Sequence, residues 1–468
     1  MSAPEVEEPS RARQEAKQEP ESKPLRKWVA LVSSVVLLGN ENERDQEIPV
    51  NDVLLDINDP PLPSYLVLRQ RHRVGLDPRR NHEPRSAYIL AADRSACILL
   101  QVVEGNRRDL FLCDTYKRAV TILPRVSYIQ ACKGHGISPH SSIGLIADPH
   151  HRGHYEVVQL HCSTGSDNQP NRLLCYSTAT RGWFTRGLTL QQSRMRKPFS
   201  ETGVLAHDGR LWWLALAYGV FFCNPCTPLF EPRPPQLRFL PLPADCVLDV
   251  YVAFDPLVKT LIDQRRCVRP SEGKLRFVEI RGLSYNEFVD VAPANPTVWM
   301  WTLDDPEGPN PWTFEYEVAF AEIWDDDNTY ADAGLLLGKV PRVALVDPND
   351  HYVVYFFQGS KLFGLDAREK KIVACKECLI ESNQQMFPSS RPIIDAWELP
   401  GDVATMTLHE TIMFGRHSLY SEEKKREVMM ESIDYCLEQA RLEWARDADT
   451  SDESSGNTSG QADDEPEI

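Results

Sequence analysis

The chain has 468 residues, 42% of them hydrophobic, more than one non-repeating core uses, since such cores stop growing near ~250–300 residues. A formal net charge of −17 argues against a general nucleic-acid or anionic-membrane surface, which needs clustered Lys and Arg. Its 12 cysteines are scattered rather than set in a dense framework, which suits reduced thiols in the cytoplasm and/or nucleus.

Residues 1–24 are almost purely polar, lack the apolar core of a secretory signal, and read as a disordered N-terminal segment. The longest apolar runs, 28–38 and 211–223, fall short of the ~18–20 residues that span a bilayer. Residues 25–400 carry short β-branched and aromatic runs separated by Pro, Gly, Asn and Asp, which is the pattern of an all-β body. Strands are expected at 87–90, 96–103, 155–161, 203–207, 211–216, 275–280, 297–303, 342–346 and 352–357. A repeat emerges from Phe111-Leu-Cys-Asp114, Leu173-Leu-Cys-Tyr176, Phe221-Phe-Cys-Asn224 and a looser Leu362–Asp366, each followed by a turn and another strand and each preceded by a hairpin. Two hairpins make four strands, the content of one propeller blade. Cys113, Cys175, Cys223 and Leu365 are taken as equivalent points, 62, 48 and 142 residues apart. The last gap has room for two further units, drawn from 250–280 and 299–320. The expected fold is an irregular β-propeller-like repeat body of about five or six blades, with paired β-sandwiches as the competing architecture.

Residues 401–446 read as a C-terminal helical segment, in which Met429, Ile433, Leu437, Ala440 and Trp444 form one apolar stripe after a capping Ser421. This helix is expected to dock on the body. Residues 447–468 are an acidic tail expected to be disordered, in which Thr450, Ser451 and Ser454 are candidate phosphate acceptors.

The runs Lys274-Leu-Arg-Phe-Val-Glu-Ile280 and Val298-Trp-Met-Trp-Thr-Leu303 are followed by Trp312, Ile323-Trp324 and Val353-Val-Tyr-Phe-Phe357. Ahead of them stand Phe222-Cys-Asn-Pro225 and Leu237-Arg-Phe-Leu-Pro-Leu-Pro243. In these landmarks the sequence resembles the grass-expanded plant family known as domain of unknown function 1618, with a family-like core at about 222–375. Trp28-Val29 and Pro63-Ser-Tyr-Leu66 are similar to that domain's amino-terminal flank. The resemblance implies a layout similar to F-box-associated β-propeller proteins and carries no catalytic residues. No F-box-like helical segment precedes Trp28.

Cys223-Asn-Pro-Cys226 and Cys375-Lys-Glu-Cys378 are candidates for a four-thiolate zinc site, although buried blade cysteines account for them more simply. His135, His140, His150, His151, His154 and His161 cluster between Cys132 and Cys162, mostly in Gly- and Pro-containing loops, and read as a solvated loop. Arg69, Arg71, Arg73, Arg79, Arg80 and Arg85 form a basic segment without interleaved aromatic residues. Asp304, Asp305, Glu307 and the acids at 325–327 lack the spacing of a helical calcium loop. No nucleophile elbow, P-loop, dinucleotide fingerprint or zinc-protease motif occurs. The expectation is therefore a non-catalytic, cofactor-free protein-interaction platform, adaptor-like, with a protein partner rather than a nucleic acid or membrane. Its contacts are expected in the Pro-rich loops 227–235 and 304–311, with Arg233, Trp312 and Trp324 as contact residues. Two alternatives stand beside it: an enzyme or lectin-like propeller with a central pocket, and a nuclear nucleic-acid-associated protein using the segment from Arg69 to Arg85.

Overall fold

The computed structural model describes residues 27–39, 53–70, 85–124 (without 96, 105, 106 and 116), 143–161, 171–190, 203–226, 234–248, 256–282, 295–325, 329–378, 394–399 and 411–414. In chain order the strands begin with β1 (Trp28–Val32), β2 (Val36–Gly39), β3 (Val53–Asp56) and β4 (Pro63–Gln70). Next come β5 (Arg85–Asp93), β6 (Cys97–Glu104), β7 (Arg107–Asp114) and β8 (Ala119–Ile122), then β9 (Ile143–Ala147), β10 (Tyr155–His161), β11 (Arg172–Ser177) and β12 (Gly182–Gly187). The middle of the chain supplies β13 (Thr189–Leu190), β14 (Gly203–His207), β15 (Arg210–Ala215), β16 (Gly219–Cys223) and β17 (Gln236–Pro241). After helix α1 (Pro256–Arg265) follow β18 (Arg266–Ser271), β19 (Lys274–Arg281), β20 (Thr297–Leu303) and β21 (Trp312–Ala319). Short helices α2 (Phe320–Asp325) and α3 (Thr329–Asp332) lead to β22 (Arg342–Val346), β23 (Val353–Gln358), β24 (Lys361–Asp366) and β25 (Lys371–Glu377). The last strands are β26 (Ile394–Glu398) and β27 (Thr411–Phe414).

These strands form six sheets, the blades of a β-propeller. Blades two to six are antiparallel, each from consecutive strands, with β13 added in parallel to the outside of β17. Blade one is assembled from both ends of the described chain, in the order β26-β1-β4-β3-β27, with β2 parallel to β4. Its inner strand β26 runs antiparallel to β1, pairing Trp28 with Glu398 and Val32 with Ile394. Six apolar clusters fill the six junctions between blades, and the one joining blade six to blade one, through Trp28, Ala30, Leu345 and Phe357, closes the ring.

Radial position explains the composition of each strand. Middle strands lie between two neighbouring blades and bury both faces, so β10 and β19 are buried along almost their whole length, Glu156, Gln159, Arg276 and Glu279 included. Outermost strands such as β8 and β25 are largely exposed and mix polar with apolar residues. Turns on one face of the ring share a chemistry: the side chains of Asp114, Ser177, Asn224 and Asp366 each accept a backbone N–H two or three residues on, at 2.8–3.2 Å.

Three expectations change. Aligning these turns shows that Cys113, Cys223 and Leu365 share a position, where blade three has Tyr176 instead. Cys175 stands in the same third strand one residue earlier, so the pleat turns it to the opposite face, into the junction that Cys223 also lines. The long gap holds one blade rather than two, because its two candidate units are the two hairpins of blade five. The start of that gap is helical, since Pro256 opens α1 and Val258 and Ile262, one turn apart, pack against the junction of blades four and five. The helix expected at 421–444 lies outside the described residues.

Candidate functional site

The face that carries the first-to-second and third-to-fourth strand turns is stitched from blade to blade. Trp397 donates its indole N–H to the Asp93 carbonyl (3.0 Å), Tyr155 its hydroxyl to Ser95 O (2.7 Å), and Lys117 its ammonium to Gly153 O (3.4 Å). His150 Nε2 meets Cys226 O at 3.0 Å, Glu307 pairs with Arg238 and Arg210, and the Glu272 N–H donates to Pro348 O (2.8 Å). Backbone acceptors in these links leave the turn side chains free to vary.

The inner strands β5, β9, β14, β18, β22 and β26 surround the axis, and most of their side chains are apolar and turned into the junctions. Two titratable groups break this rule by reaching between blades that are not neighbours, which only a path across the axis allows. Arg269 of blade five stands with its Nε 3.4 Å from Asp395 Oδ1 of blade one. His207 of blade four comes under the charge of Arg94 from blade two, which is itself ion-paired at 2.7 Å with Glu398. Burial, reinforced by Arg94, holds the His207 imidazole below its ordinary value, while Asp208 and Glu398 pull the other way. Burial raises the Asp395 carboxyl although Arg269 opposes the shift. Asp395 nevertheless keeps 42% of its side-chain surface accessible, on the inner strand of blade one.

A second feature lies on the outer edge of blade five. Trp299, Trp301 and Phe314 pack as a trio with ring centroids 5.1–5.6 Å apart. The Arg281 guanidinium lies 4.1 Å from the Trp299 ring and 5.1 Å from that of Trp301. Arg281 is fixed from behind by Glu279 Oε2 (3.1 Å) and Cys246 Sγ (2.9 Å), and Glu279 is shared with the buried Arg266. Phe314 is 46% exposed. It sits on β21, whose eight residues make it the longest outermost strand of blades two to six and whose outer edge carries no further strand among the described residues.

Trp312 is half-buried beside this trio, its ring 6.1 Å from Phe277 and its indole N–H donated to Pro241 O (2.8 Å). Trp324 stacks on Phe320 at 5.7 Å in the junction of blades five and six. Arg233 lies outside the described residues, as do Arg71, Arg73, Arg79, Arg80, His135 and His140. The two cysteine pairs are not brought together: Cys223 and Cys226 line the junction of blades three and four, Cys378 that of blades six and one, and Cys375 packs against that of five and six. Burial pushes the Cys223 thiol up to about 12, which disfavours the thiolate a metal needs. Among the described residues no group of three or more His, Cys, Asp or Glu is arranged to hold a metal ion. His151 pairs with Asp148 (2.8 Å) and His154 with Thr178 (3.2 Å), so each is held separately. Asp304 is taken by Lys274 and Thr313, both at 2.6 Å, and Asp305 caps its own turn. No helix of the described residues is long and apolar enough to cross a membrane.

Residues 213–355 match the sequence profile of the family described as "Protein of unknown function (DUF1618)". The middle of the chain is thus similar to this family. The DUF1618 segment runs from β15 to β23 and so contains all of blade five, both the aromatic trio and Arg269; it starts and ends before the expected 222–375 core. No curated protein matches the sequence. Among solved structures, the chain is similar to apo AztD from Citrobacter koseri, at 8% identity and a TM-score of 0.24, over 70% of this chain and 82% of that one. It is also similar to the WD40 domain of SCAP from fission yeast, at 10% identity and a TM-score of 0.28, over 66% of this chain and 68% of that one. Scores this low carry no functional argument, and the propeller architecture rests on the chain's own sheets.

Sequence reasoning missed Arg94, His207, Arg269, Asp395 and Glu398, because each is a single residue in an otherwise ordinary strand end and only ring closure gathers them. Phe314 had a readable signal: Trp299 and Trp301 on one strand face the same side as Trp312 and Phe314 on the next.

Proposed function

We propose that this DUF1618 propeller is a non-catalytic protein-interaction platform whose contact surface is the outer edge of blade five. The observation that supports it is Phe314, left 46% exposed on an uncapped strand while Trp299, Trp301 and Arg281 hold it rigidly from behind. Aromatic and Arg side chains dominate interface energetics, and anchors already ordered by the fold lose little entropy on binding. The edge of β21, which no further strand covers among the described residues, offers backbone N–H and C=O groups that an extended segment of a partner could take. In this reading Trp312 supports the trio, while Trp324, in the junction of blades five and six, stands apart from it.

The test compares Phe314→Asp with Val373→Asp in affinity capture from tissue extract followed by mass spectrometry. Val373 is 52% exposed on the outermost strand of blade six and serves as a matched control. Partners retained by the wild type and Val373→Asp should fall by about tenfold or more with Phe314→Asp, in line with loss of an aromatic hot spot. Equal recovery by all three proteins removes blade five from the reading.

A further inference from the structure

We propose that the central channel binds a small carboxylate carrying an adjacent hydrogen-bond donor, an α-hydroxy or α-amino acid, with Arg269 taking the carboxylate and Asp395 taking the donor. The Arg269 side chain is 8% exposed, yet it makes one hydrogen bond, from Nη1 to the neighbouring Val268 carbonyl (2.9 Å). Its Nε is buried without a hydrogen-bond partner. A guanidinium offers five N–H donors in a planar fork that fits a carboxylate through two parallel bonds, and a buried donor left unpaired is costly. Asp395 does not fill that fork: its Oδ1 stands 3.4 Å from Nε without forming a hydrogen bond, and its side chain stays 42% accessible. The two groups come from the inner strands of blades five and one, so a ligand that touches both lies near the axis.

The charge balance narrows the ligand class. Arg269 and Arg94 are matched by Asp395 and Glu398, so a multivalent anion would be repelled by two carboxylates and a bare cation by two guanidiniums. A molecule with a carboxylate at one end and a hydroxyl or ammonium beside it satisfies both Arg269 and Asp395. Entry is from the stitched face, where Arg94 is 40% exposed and His207 keeps its Nδ1 buried and without a hydrogen-bond partner.

Isothermal titration and thermal-shift assays of the full chain with lactate, alanine and acetate test this. Lactate or alanine should bind about tenfold more tightly than acetate, which lacks the donor, and the two arms separate hydroxyl from ammonium. Arg269→Met should weaken either acid by about tenfold or more, and Asp395→Asn should bring it to the level of acetate. If Arg269→Met does not fold, Arg269→Lys, which keeps the charge and loses the fork, should show the same loss. Absence of binding by both acids overturns the proposal, as does unchanged affinity in the Arg269 variant or an unchanged preference over acetate in Asp395→Asn. Because Phe314 is on the outside of the ring, Phe314→Asp should retain acid binding whatever becomes of its protein partners.

Discussion

Single titratable side chains tilt the stability of this propeller in opposite directions over the same pH range. Burial, aided by the charge of Arg172, lowers His161 from 6.5 to about 4, so the folded state prefers the neutral ring. That contribution is fully present above the ordinary value and is lost as pH falls through about 4. Asp347 goes the other way: burial, with the nearby Asp350 and Glu272 carboxylates, raises it from 3.8 to about 6 against the pull of the Asn349 N–H. Its folded-state preference for the proton is fully present below 3.8 and is lost as pH rises through about 6. Urea titrations from pH 4 to 7 should therefore show His161→Gln losing the rise of stability with pH and Asp347→Asn losing the opposing fall, each by on the order of 1–2 kcal/mol. Identical pH slopes in both variants and the wild type would contradict this. A larger effect belongs to Glu279, which is 4% exposed and holds both Arg266 and Arg281. Glu279→Gln leaves two guanidiniums facing each other without a counter-charge and should cost ~3–5 kcal/mol by urea midpoint. The pair Arg266→Met with Glu279→Leu, which removes the buried charges together, should recover most of it.

Strands were legible where the local pattern and the turn chemistry agreed. The repeats ending at Cys113, Cys223 and Leu365 carry a short apolar run and then an Asp or Asn whose side chain closes the turn, and both signals sit within ten residues. Blade three showed the limit of that reading, because a cysteine one residue out of place looked equivalent until the pleat assigned it to the other face. Helix α1 escaped notice since ten residues with two apolar contacts one turn apart give little periodicity. Blade one was illegible for a different reason: its strands are far apart in sequence, β1 pairs in parallel with β4, and no repeat unit covers it. The channel groups shared that fate. The pairing that creates blade one can be trapped directly, because Ala30 and Ala396 are opposite each other across β1 and β26. Ala30→Cys with Ala396→Cys should form a disulfide under mild oxidation and stabilise the protein by ~2–4 kcal/mol in chemical unfolding. Failure to cross-link in the native state would deny the register.

The ring is held mainly by its six inter-blade cores, with the stitched face adding hydrogen bonds whose acceptors are often backbone carbonyls. That division lets the outer edge of blade five and the axial groups of blades one, two, four and five vary without loosening the frame, so one scaffold has room for the two proposed surfaces. Closure through β1 and β26 also sets an order of events during synthesis. Trp28, Val29 and Leu31 are made long before the strand that completes their sheet, Ile394–Glu398. Until it arrives the first sheet stays half built with its oily face uncovered, while the blades behind it assemble in turn. Cells making this protein must shelter that unfinished edge until the distant strand is made, so a shortage of chaperones should harm its yield more than that of a repeat protein whose units each close on themselves.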